Sequence, residues 1–98
     1  MSESLREADM VEAARLLDRV KDLSKEEREV LNYFLENISV GSLRAIKELR
    51  LAGKVRDPAS VIKRLVDMGF LEDAGECYNL AKPLREYILK RGRIRVQA

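Results

Sequence analysis

The chain has 98 residues, 46% apolar and 37% charged, which is enough apolar content to close one small core and too little length for a second domain. A net charge of +2, a single cysteine (Cys77) and the lack of any histidine argue against an internal disulfide, the usual metal sites and histidine-based catalytic dyads. No apolar run of about eighteen residues is present, and "MSESLREADM" is polar and acidic where a secretion leader is basic and then apolar; the expectation is a cytoplasmic protein with no membrane contact, no cofactor, no metal and no enzymatic activity.

A first helix is predicted from Ser4 to about Leu23, free of proline and glycine. Val11, Ala14, Leu17 and Val20 recur there at helical spacing, and Leu5, Ala8, Met10 and Leu16 broaden the stripe. That is more apolar surface than one neighbouring helix covers, so residues 4–23 are expected either to pack partly against a second copy, as a homodimer contact, or to pack across their own domain. "SKEE" then supplies a capping box, Ser24 capping and Glu27 reaching back, before a second helix with Val30, Leu31, Phe34, Leu35 and Ile38 inward. Ile38 to Val40 suits one brief strand. Ser42 suits the cap of a third helix, with Leu43, Ile46 and Leu49 inward and Gly53 as its stop.

Asp57 and Pro58 open a fourth helix carrying Val61, Ile62, Leu65, Val66 and Met68, and Gly69 ends it in a left-handed turn. "FLED", "AG" and "ECYNL" then read as a hairpin, in which Cys77 is a half-buried strand residue. Pro83 starts a last helix with Leu84, Tyr87, Ile88 and Leu89, and beyond Gly92 the tail "RIRVQA" alternates basic and apolar, as an added strand or a frayed end does. Charge is uneven along this course. Residues 1–53 hold nine Lys/Arg against eleven Asp/Glu, and residues 54–98 hold ten against six. Asparagine and glutamine occur only at Asn32, Asn37, Asn79 and Gln97, a balance that favours ion-pair networks and a thermophilic source.

Helix, brief strand, helix, helix, hairpin, helix: from Ser24 to Arg91 the order resembles the winged helix-turn-helix family, and in particular its small archaeal-type DNA-binding regulators. The most specific part is "SVIKRLVDMGFLEDAGECYNLAKPLREYI", where Gly69, Phe70, Leu71, Tyr78 and Leu80 stand where the family enters and leaves its wing. The resemblance implies a mainly α fold with a small β-hairpin, a winged helix-turn-helix with an extra N-terminal helix. The chain divides accordingly into a helix at residues 1–23, a winged domain at 24–91 and a basic tail at 92–98.

In that family the helix after the turn lies in the major groove. Helical geometry puts Ser60, Lys63, Arg64 and Asp67 on one stripe opposite Ile62, Leu65 and Val66, so these four are expected to face DNA. Lys54, Arg56, Ser60, Lys63 and Arg64 are the candidate groove contacts, and Lys90, Arg91, Arg93 and Arg95 the candidates for flanking phosphates. The first turn, Pro58 to Val61, lacks arginine, asparagine and glutamine, which implies weak sequence specificity. Glu72, Asp73 and Glu76 surround the wing with negative charge that repels phosphate. Two readings follow. One is a double-stranded-DNA-binding transcriptional regulator or chromatin-associated protein; the other is a protein–protein interaction module, a small subunit of a larger assembly whose acidic wing meets a basic partner.

Overall fold

A computed structural model describes the backbone of residues 2–97 and the side chains of residues 10–97, so the expectations for Leu5 and Ala8 lie outside the described side chains. Helix α1 (Ser2–Arg19) runs into a 3-10 turn (Val20–Asp22). There follow α2 (Lys25–Asn37), β1 (Ser39–Gly41), α3 (Ser42–Ala52), α4 (Pro58–Asp67), β2 (Leu71–Asp73), β3 (Cys77–Leu80) and α5 (Lys82–Arg91). The fold is mainly helical with a small antiparallel sheet, compatible with a winged helix that carries an extra N-terminal helix. In the sheet β3 is central, pairing with β2 through the hairpin (Leu71 opposite Leu80) and with β1 on its other side (Val40 opposite Tyr78).

Local chemistry sets most boundaries. Ser24 Oγ accepts the Glu27 N–H at 3.2 Å while Glu27 Oε1 accepts the Ser24 N–H at 2.8 Å, the reciprocal box that opens α2. Asp57 caps α4 by accepting from the Ser60 N–H, with Pro58 in the first turn. Gly69 (φ 89°) closes α4: its N–H reaches Val66 O at 3.0 Å and the Phe70 N–H reaches Leu65 O at 2.9 Å, a Schellman pair that drops Phe70 into the core.

Four local expectations are corrected. The brief strand is Ser39–Gly41 rather than 38–40, because Ile38 takes a positive φ (64°) to turn the chain out of α2. Gly41, not Ser42, caps α3; the Ser42 N–H bonds Glu76 O at 2.9 Å and so ties α3 to the wing turn. The inward line of α1 and the 3-10 turn, among the described side chains, is Ala13, Leu16, Leu17 and Val20, leaving Val11 and Ala14 exposed, since α1 packs along α5 of its own chain and Leu16 seats beside Gly69. The tail is not a strand.

The core joins all of these elements. Phe34 sits at its centre, edge-on to Tyr33 (5.1 Å) and Tyr78 (6.4 Å), with Leu31, Leu35, Ile62, Leu65, Phe70, Leu80 and Leu84 around it. Val55 is buried in the segment between α3 and α4, so that segment is anchored by its middle residue.

Candidate functional site

Three of the five groove candidates are tied to the first turns of α2. Arg64 Nε lies 3.0 Å from Glu27 Oε2, Lys54 Nζ lies 3.8 Å from Glu29 Oε2, and the Arg56 backbone N–H donates to Glu26 Oε2 at 2.8 Å. Arg64 also donates to Ser60 Oγ at 3.1 Å, which lays its side chain back along α4 rather than outward into a groove. The Ser24 N–H holds the Glu27 carboxyl below its usual range; partial burial opposes this and the Arg64 guanidinium reinforces it. Lys63 is exposed and, among the described residues, has no carboxylate at ion-pair distance. Of the four cations expected at the groove, Lys54 and Arg64 are thus paired within the molecule, whereas the Arg56 guanidinium and Lys63 have no carboxylate at ion-pair distance among the described residues.

The tail candidates divide. Lys90 and Arg91 are exposed at the end of α5. Arg93 donates to Glu36 O, and Arg95 lines a groove over α2 together with Glu29, Asn32, Tyr33 and Lys54, so the fold brings Arg95 to Lys54 and away from an independent tail. What fixes the segment is Asn32, 5% exposed: its Nδ2 donates to Val96 O and its Oδ1 accepts the Val96 N–H, both at 2.7 Å. One side-chain amide replaces a strand partner. Sequence reading missed it, although a polar residue among Val30, Leu31, Phe34 and Leu35 on a helix is the signal that could have found it.

The wing is less acidic than its sequence suggests. Glu72 accepts the Lys82 N–H at 3.1 Å and lies 3.5 Å from Arg85, and Asp73 Oδ1 accepts the Gly75 N–H at 2.9 Å inside the turn.

The surface that sequence reading did not anticipate is on α3. Ala45 and Leu49 face the core, whereas Leu43, expected inward, is 85% exposed and Leu51 is 77% exposed. Packing against β1 and β3 seats the small Ala45 inward, and this rotates Leu43 out. Leu43, Ile46, Lys47, Arg50 and Leu51 line a shallow groove there. On the flank of the same helix, Glu48 accepts from the Tyr33 hydroxyl and pairs with Arg44 at 3.2 Å. No group of three or more metal-ligating side chains occurs among the described residues, and no described helix is long and apolar enough to cross a membrane.

The model of one protein family, described as PolB1 Binding Protein 2, matches residues 24–86, from the Ser24 cap of α2 into α5. No curated protein matches the chain. The match corrects the family drawn from the sequence: the chain is not assigned to the winged helix-turn-helix DNA-binding regulators. Their element order is shared by many proteins of unrelated function, so order alone carried the fold and not the family.

Proposed function

The chain belongs to the PolB1 Binding Protein 2 family, and on that premise we propose that it is a small accessory subunit that docks on a PolB1 DNA polymerase in the cytoplasm. The family match over residues 24–86, from α2 through the wing into α5, carries this reading. Two features of the surface support it. Lys54 and Arg64, two of the four cations expected to face DNA, are paired within the molecule, which leaves that face less charge for phosphates, and α3 presents exposed leucines of the kind that protein interfaces cover. Among the described residues of α1, which packs along α5 of its own chain, Val11 (62% exposed) and Ala14 are the apolar residues left exposed, and the stoichiometry proposed is one copy per polymerase. The test is size-exclusion chromatography of the full chain with PolB1: co-elution at moderate salt is the expected result, and separate elution at micromolar concentrations of both overturns the reading.

A second reading, direct contact with duplex DNA, is favoured by Lys63, Lys90 and Arg91, exposed cations without carboxylate partners among the described residues. Anisotropy titration against random duplex tests it, because phosphate-driven binding weakens steeply with salt.

A further inference from the structure

We infer that the outer face of α3 is the surface that meets the polymerase, and that its counterpart there is an apolar patch rimmed by carboxylates. This rests on the polymerase-binding reading above and names where that binding occurs.

The apolar residues of α3 are split between two faces. Ala45 and Leu49 are buried and Ile46 packs against the core, yet Leu43 and Leu51 face solvent, more apolar surface than the helix needs for its own core. Leu43, Lys47 and Leu51 are spaced i, i+4, i+8, so they form one ridge along the helix, about 12 Å from end to end. Ile46 and Arg50 complete the groove beside it. Wide exposure of two leucines on one ridge is a standing cost in water that a covering surface removes.

Charge specifies what covers it. Arg44 is occupied by Glu48, and Glu48 in turn by the Tyr33 hydroxyl, so the carboxylate of this helix is turned to its flank. Lys47 and Arg50, which border the leucines, have no carboxylate at ion-pair distance among the described residues. A partner that buries the leucines must therefore meet two cations, and acidic side chains at its rim satisfy them. A second copy of this chain does not: a two-fold contact through this ridge brings the unpaired Lys47 and Arg50 cations of both copies to one seam. The ridge is also held in place, since the Ser42 N–H bonds Glu76 O at 2.9 Å and fixes the start of α3 to the wing turn.

The experiment is a calorimetric titration of PolB1 with the full chain, with Leu43→Ala plus Leu51→Ala, with Lys47→Glu plus Arg50→Glu, and with Lys63→Glu as a control on α4. Alanine favours helix at exposed positions, so the leucine variant keeps its fold, which circular dichroism checks. The expected results are at least about tenfold weaker binding for the leucine pair, about tenfold weaker binding with reduced salt sensitivity for the charge-reversed pair, and parental binding for Lys63→Glu. Parental affinity in both pair variants overturns the α3 assignment while leaving polymerase binding intact, whereas a parent chain that does not bind overturns the polymerase reading itself. Sedimentation of the free chain supplies the remaining outcome: a dimer that the leucine variant dissociates makes the ridge a self-interface and overturns the assignment.

Discussion

Glu27 bridges two helices, with one carboxylate oxygen accepting the Ser24 N–H at 2.8 Å and the other lying 3.0 Å from Arg64 Nε. One side chain thereby caps α2 and fastens it to α4. This takes up Arg64 and leaves Lys63 as the unpaired cation of α4 among the described residues.

Replacing Glu27 with glutamine weakens the cap and removes the ion pair. The expected loss is about 1.5–3 kcal/mol, the range for hydrogen bonds to charged groups, measured by urea unfolding. The carboxyl titrates below the ordinary glutamate range when folded, so its contribution is full above the unfolded pKa and is lost as the pH falls through the folded one. Melting temperature should therefore fall on acidification in the parent chain, and fall less in Glu27→Gln.

Arg64 and Lys63 are neighbours with different work. Arg64→Ala is expected to lower stability by about 0.5–1.5 kcal/mol through the lost contact to Glu27, while Lys63→Ala stays within about 0.5 kcal/mol of the parent. Equal effects in thermal melts would contradict the structural role given to Arg64.

Asn32→Ala removes both bonds to the Val96 backbone. The expected outcome is a loss of about 1–3 kcal/mol and faster tryptic cleavage after Arg93 and Arg95, read by mass spectrometry. Unchanged cleavage would show that Ile94 and Val96, packed against the core, hold the segment without the amide.

Burial, and then the hydrogen bond to Glu48, push the Tyr33 phenol above the ordinary tyrosine range. Its contribution to stability is full below the unfolded value, near ~10, and is lost as the pH rises through the folded one. Tyrosinate absorbance should show a late component on alkaline titration that Tyr33→Phe removes and Glu48→Gln shifts to lower pH.

Where the determinants were local, the sequence was legible. The Ser24–Glu27 box, the Asp57–Pro58 start, the Gly69 stop and the hairpin each depend on residues within about five positions, and each formed at or beside its expected place. The candidate site depends on contacts far apart in the chain. Asn32 meets Val96 across 64 positions and Arg64 meets Glu27 across 37, and neither partner is marked by spacing. On α3, two apolar registers compete, one through Leu43, Ile46 and Leu49 and one through Ala45 and Leu49. Packing against the sheet chose the second, which turned a presumed core leucine into an exposed one.

Amide hydrogen exchange on the full chain, with and without saturating PolB1, tests the central claim most directly. The account predicts slowed exchange concentrated in α3, residues 42–52, with the α4 amides unchanged. Unchanged exchange throughout, or protection confined to α4 and the wing turn, would contradict it.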